Sequence, residues 1–165
     1  MEIRASFLNN ADLPNAAKVL LECVPEAFLN QVMATEYLSK RIDVMDSFCL
    51  VYKNGNEILG LSTHDMICAG IISCHPCITQ SYRGRGLLKY IFEIASNLSK
   101  DLSLSTMCVV DEYNDIVERT LIKVGFAKVG EFKTLEITRR IYIKGCDAQG
   151  EADNLAVQDQ ENKVY

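Results

Sequence analysis

The sequence predicts one α/β domain over residues 1–144, with elements in the order β-α-α-β-β-β-α-β-α-β-β and mixed connections. Three observations carry this reading. Short runs of alternating or β-branched residues recur along the chain, and Asn54-Gly55-Asn56 between two of them is a strong hairpin signal. Gly86 to Leu98 places Leu87, Leu88, Ile91, Ile94, Ala95 and Leu98 on one wide apolar face, the periodicity of an amphipathic helix. Asn114 to Val124 repeats that pattern and is followed by Gly125, the residue that most readily takes the left-handed turn at a helix end.

The remaining elements follow from local chemistry. Glu2 to Leu8 alternates as a strand. Asn9-Asn10-Ala11-Asp12 then offers caps for a helix through about Cys23, with Pro14 tolerated in its first turn because the amide it lacks would be unpaired there. A second helix is expected within Gln31 to Lys40. Ser47 to Lys53 and Glu57 to Thr63 form the hairpin, and a further strand covers about Met66 to Ile78. Leu102 to Val110 reads as a buried strand. Phe126 to Phe132 and Glu136 to Lys144 read as a closing antiparallel pair.

Size and composition bound the function. The chain has 165 residues, 48% hydrophobic and 24% charged, enough to bury one core and unlike low-complexity or wholly disordered chains. No apolar run approaches the ~18–20 residues of a membrane span, and Met1 to Ser6 lacks the apolar stretch of a secretory signal, so a cytoplasmic protein is expected. The formal charge of -5 argues against nucleic acid or an anionic membrane as partner. It is concentrated at one end: residues 145–165 hold Asp147, Glu151, Asp153, Asp159 and Glu161 against Lys163, leaving 16 bases and 17 acids in residues 1–144. The segment 145–165, polar and without a periodic apolar face, reads as a solvated acidic tail beside the domain.

Seven cysteines, an odd number and mostly set among apolar residues, read as reduced, buried thiols. Cys74-His75-Pro76-Cys77 is the one compact pair. A structural zinc site wants a second pair and none exists, while a dithiol redox motif normally opens a helix and this one lies among β-formers. No metal is expected, and the pair reads as strand thiols with Pro76 marking a bulge or interruption.

The segment that carries chemistry is Ser81-Tyr82-Arg83-Gly84-Arg85-Gly86-Leu87-Leu88, between a β-run and an amphipathic helix. Its glycines permit a tight turn, successive amides can face one point, the helix start adds a positive dipole end, and two arginines suit a pyrophosphate. It has neither the Lys-Ser/Thr ending of a P-loop nor the glycine spacing of a dinucleotide fingerprint.

This segment resembles the signature of the GNAT-type acyl-CoA N-acetyltransferases, which runs Gln or Arg, two residues, Gly, one residue, then Gly or Ala at the start of the third main helix. Arg83, Arg85 and Gly86 fit it, and Leu88 stands where Gly or Ala is usual. A second family element is an Asn followed eleven residues later by Gly-Phe, here Asn114 and Gly125-Phe126. The resemblance implies a mixed, mostly antiparallel sheet flanked by helices, with acetyl-CoA as cosubstrate and a primary amine as acceptor. Ile78 and Thr79 would lend backbone groups to the pantetheine inserted between two splayed strands. Arg83, Gly84, Arg85, Gly86, Leu87 and Leu88 would cradle the pyrophosphate, with Asn114 beside the pantetheine arm.

The chemistry further wants a base for the incoming ammonium and an acid for the departing thiolate. The Tyr that commonly serves as acid falls on Leu121, and Ile67 to Thr79 contains no Glu or Asp. The substitutes in the sequence are His75 and His64, Asp65 and Glu57, and Tyr113 beside Asn114, of which His75 and Tyr113 are the catalytic candidates. Leu88, Leu121, the acid-free strand and the tail also fit a second expectation. It is a GNAT-fold structural or assembly protein with weak or lost catalysis, such as an internal component of a phage virion, forming a homo-oligomer or larger assembly through the tail.

Overall fold

The computed structural model describes residues 2–42, 46–134 and 137–145. The acidic tail, apart from Gly145, lies outside the described residues, as do Cys146 and Glu136.

Eight strands and four helices follow one another as β1 (Arg4–Phe7), α1 (Leu13–Cys23), α2 (Gln31–Ser39), β2 (Ser47–Asn54), β3 (Glu57–Cys68), β4 (Ile71–Ser73), β5 (His75–Ile78), α3 (Leu87–Asp101), β6 (Ser105–Asp111), α4 (Asp115–Val124), β7 (Ala127–Thr134) and β8 (Ile137–Lys144) among the described residues. The strands form one sheet ordered β1-β2-β3-β4-β6-β8-β7, with β5 also paired to β3. Every pairing is antiparallel except β4 with β6.

Helices α1 and α2 cover one face of the sheet, where Ala16, Ala17, Leu20, Ala34 and Leu38 pack against Cys49, Val51 and Leu61. Helices α3 and α4 cover the other, where Ile91, Phe92, Leu121 and Phe126 pack against Tyr52, Leu59, Cys108 and Tyr142. Side chains that alternate along a strand thus feed two cores, which is why β2 and β3 are buried on both faces. Each fully buried aliphatic or aromatic side chain contributes roughly 1.5–3 kcal/mol, so both layers are needed to hold the sheet.

The expected strand over Met66 to Ile78 needs correction. β3 runs on to Cys68, the chain reverses at Ala69-Gly70 with Gly70 at φ 86°, and the return is broken at Cys74 into β4 and β5. The break is tertiary in origin. Ile71 to Ser73 pair in parallel with Ser105 to Met107, and Cys74 makes the last link by donating its amide to Met107 O at 2.9 Å. Beyond that point β5 stays with β3 while β6 pairs only with β8, so the sheet opens between β5 and β6.

Gly60 permits the close seat of β5 on β3. A Cβ there would stand 2.7 Å from the main-chain oxygen of Cys77, too near for any other residue without displacing the strand.

Candidate functional site

The opening between β5 and β6 leads into a cleft of about 650 Å³, walled by Cys23 and Val24 at the end of α1, Pro76 to Ile78 of β5, the loop from Tyr82 into α3, and Asn114, Ile116, Val117 and Thr120 of α4. Its floor is a strand edge. Thr79 donates its amide to Leu59 O at 3.1 Å, and antiparallel alternation then turns the main-chain groups of Ile78 and Pro76 away from β3 and into the cleft. At Thr79 the amide is spent on Leu59, while the carbonyl accepts from Tyr82 N at 2.9 Å and keeps a second lone pair. The Ile78 carbonyl is held from two sides, by Arg83 Nε at 3.1 Å and by the Cys23 thiol at 3.3 Å.

The glycine loop stands at one end of this edge. Gly84 and Gly86 take φ of 74° and 84°, left-handed values that a side chain strains to adopt, and a Cβ at either would meet nothing within 4 Å. The first bond into α3 runs from Tyr90 N to Gly86 O, so the amides of Leu87, Leu88 and Lys89 point out of the helix end. The Leu87 side chain is buried in the core below while its amide stays at this end. Arg85 lies over the ring of Tyr82 at 5.1 Å and Arg83 is fixed on Ile78, which leaves two exposed cations beside an exposed row of amides. Such a cradle fits a pyrophosphate in charge and in open space. Leu88 lines the cleft with its side chain packed on the core.

Asn114 lines the opposite wall and has a structural duty. It is the N-cap of α4, its side-chain oxygen accepting from Val117 N at 3.4 Å, which leaves its NH2 free to face the cleft. Leu121, fully buried, belongs to the core.

His75 and Tyr113 do not meet. His75 is the first residue past the opening of the sheet, exposed on the face of β5 that carries α1 and α2, opposite Thr63, and it lies outside the cleft lining. Desolvation, aided by Arg41 and opposed by Asp65, holds its imidazole below the usual histidine value, so it is neutral at pH 7. Asp65 in turn is paired with Arg41 at 2.7 Å. Tyr113 is 78% exposed, lies outside the cleft lining, and is held protonated by its hydrogen bond to Glu112. His64 is 1% exposed in the core, bonded to Ser62 and Ser73.

The four thiols around Cys74-His75-Pro76-Cys77 separate into two pairs on opposite faces. Cys74 interacts with Cys108 in the α3 layer, and this contact and burial hold its thiol protonated. Cys77 interacts with Cys23 of α1. Sequence spacing concealed the second pair, since its members are brought together only by the packing of α1 on β5.

No protein-family model and no curated protein matches the sequence. Solved structures do match in fold. A ribosomal-protein-S5-alanine acetyltransferase from Vibrio fischeri is 17% identical, with a TM-score of 0.77 over 89% of this chain and 94% of that one. Mutant forms of a spermidine/spermine N-acetyltransferase from Vibrio cholerae are 16% identical, with a TM-score of 0.74 over 93% and 98%. A GNAT-family acetyltransferase from Bacillus cereus is 17% identical, with a TM-score of 0.69 over 88% and 98%. These matches extend over most of each chain: the chain is built on the fold of the GNAT acetyltransferases.

Proposed function

We propose that the protein is an acetyl-CoA-dependent N-acetyltransferase that moves an acetyl group to a primary amine. The observation that carries this reading is the meeting, in one cleft, of an unpaired strand edge and a cationic row of amides. Two of its structural neighbours, a spermidine/spermine N-acetyltransferase and a ribosomal-protein-S5-alanine acetyltransferase, point the same way.

The loop from Arg83 to Lys89 would bind the pyrophosphate through main-chain N–H groups and the two guanidiniums. The Ile78 N–H and Pro76 C=O on the open edge of β5 would hold the pantetheine amides as a neighbouring strand would, with the Asn114 NH2 facing them. The acyl end then lies toward Cys74, where the sheet begins to open, next to His75. The neutral imidazole of His75 takes the proton of the incoming ammonium through water, the amine nitrogen bonds to the acyl carbon, and the C–S bond breaks. The departing thiolate is protonated by solvent, since Leu121 has no proton to give and the Tyr113 hydroxyl is engaged with Glu112.

Calorimetric titration tests the binding half. Acetyl-CoA should bind with a dissociation constant between about 1 µM and 1 mM, and a Gly86→Asp variant, which sets a carboxylate in the cradle, should abolish it. Absence of binding at millimolar ligand overturns the reading. Turnover against a panel of amines, followed by mass spectrometry so that protein thiols do not interfere, identifies the acceptor. His75→Gln should lower kcat by about 10²-fold and flatten the acid limb of the pH profile.

A further inference from the structure

The cleft wall contains a pair of thiols for which acetyl transfer has no use. Cys23 closes α1 and Cys77 lies in β5, and both line the cleft. Helix α1 packs directly on β5, and the Cys23 thiol donates to the carbonyl of Ile78, the residue that follows Cys77. The side chain of Cys77 shares the face of Leu61, which is the face α1 covers. The two sulfurs therefore approach each other from helix and strand.

Their surroundings differ. The groups around Cys23 are Cys77, Arg83 of the glycine loop and Glu22 of α1. The hydrogen bond from Cys77 and the Arg83 guanidinium pull the Cys23 thiol down to about 7, against the opposing effects of burial and Glu22. Cys77 is pushed up, first by its bond to Cys23 and then by burial. Cys23 is thus the member that ionises first, giving up its donor contact to the Ile78 carbonyl as it does so, and Cys77 keeps its proton until Cys23 has reacted. No other thiol is so placed among the described residues: Cys49 is buried and pushed up to about 12, Cys74 is held protonated beside Cys108, and Cys68 is exposed at the tip of a hairpin.

We propose that Cys23 and Cys77 form a redox-active pair in the cleft wall, in which Cys23 attacks a small-molecule disulfide and Cys77 resolves the mixed disulfide. In the first step the Cys23 thiolate bonds to one sulfur of the disulfide, the S–S bond breaks, and one small thiolate leaves and takes a proton. With Cys23 no longer a thiolate, Cys77 loses its proton to solvent, bonds to the Cys23 sulfur and expels the second small thiolate. Two protein thiols are oxidised and one disulfide is reduced to two thiols. Oxidation makes permanent the loss of the Cys23 donor from the Ile78 carbonyl that ionisation begins, at the edge where the cleft meets its loop.

The test is incubation of the full-length protein with oxidised glutathione, followed by non-reducing peptide mapping. The expected product is a peptide joining Cys23 to Cys77, with two reduced glutathiones released per chain. Cys77→Ser should stop at a glutathione adduct on Cys23, and Cys23→Ser should leave Cys77 unmodified. Loss of the Cys23 thiol should level off above about pH 7, whereas a free cysteine keeps accelerating toward about pH 8.5. An adduct confined to Cys68, or a Cys77→Ser protein without an adduct on Cys23, overturns the proposal. The mapping of the unaltered protein decides the matter even where a variant folds poorly, and it requires neither acetyl-CoA nor turnover.

Discussion

His64 should make the protein lose stability steeply between pH 6.5 and pH 4. The imidazole is 1% exposed, stacked on Phe48 with ring centroids 4.5 Å apart, and closed into a chain of polar contacts. Its Nδ1 lies 3.1 Å from Ser73 O, which can only accept, so Nδ1 carries the proton and Nε2 accepts from the Ser62 hydroxyl at 2.8 Å. Tyr52 OH completes the chain at 3.0 Å from Ser62 Oγ. A second proton on Nε2 would force the Ser62 hydroxyl to turn from donor to acceptor, and burial, aided by His75 and opposed by the bond to Ser73 and by Asp65, pulls the group from 6.5 to about 4. Below pH 6.5 the unfolded imidazole binds a proton that the folded one refuses, so stability present above that pH falls until the folded group titrates near 4. A displacement of that size is worth about 3 kcal/mol, a large part of the 5–15 kcal/mol of a typical domain. Urea unfolding of the native protein and of His64→Gln between pH 7 and pH 4 isolates the effect, because the acidic groups are common to both. The native protein should lose about 3 kcal/mol more than the variant across that interval. Parallel pH dependences would refute the reasoning, whatever the variant's stability at pH 7.

Gly60→Ala should destabilise the fold by about 1–3 kcal/mol in the same urea assay, since its Cβ would press on the Cys77 carbonyl at 2.7 Å and drive β5 off β3. Leu121→Ala should cost about 2–5 kcal/mol through the cavity left in the α3–α4 layer, and a near-neutral result would show that the site collapses. Arg83→Ala should weaken acetyl-CoA binding about tenfold or more in calorimetry, with a shallower salt dependence, by removing both a cation from the cradle and a donor from the Ile78 carbonyl.

What could be read from the sequence was local. Asn54-Gly55-Asn56 turns the β2–β3 hairpin, Gly125 at φ 93° ends α4, and the apolar faces of α3 and α4 lie on the sheet, because each rests on the preferences of neighbouring residues. The glycine loop was legible for the same reason. The division at Cys74 was not, since the break falls where β6, some thirty residues later, parts from this run after Met107 while staying paired with β8. Nothing local reveals that the Thr79 amide is spent on Leu59. Cys23 and Cys77 read as two unrelated buried thiols, and His64 as a substitute base, because nothing local shows that α1 packs on β5 or that Ser73 of the neighbouring strand holds the imidazole in the core. Asn114 was read for its place beside a ligand, and its capping of α4 fixes that place.

Pro76 gives the open edge of β5 a property that concerns other proteins as much as the ligand. An unpaired strand edge invites any extended chain to add to the sheet, and such edges are a common route to aggregation. Along the stretch that faces away from β3, Pro76 has no amide hydrogen to offer, so Ile78 is left as the donor and the ladder cannot continue past it. A foreign β-strand would find one donor, at Ile78, and one acceptor, at Pro76. A short, flexible chain with one or two amide groups loses little by this, so the edge discriminates by length between a small ligand and a polypeptide.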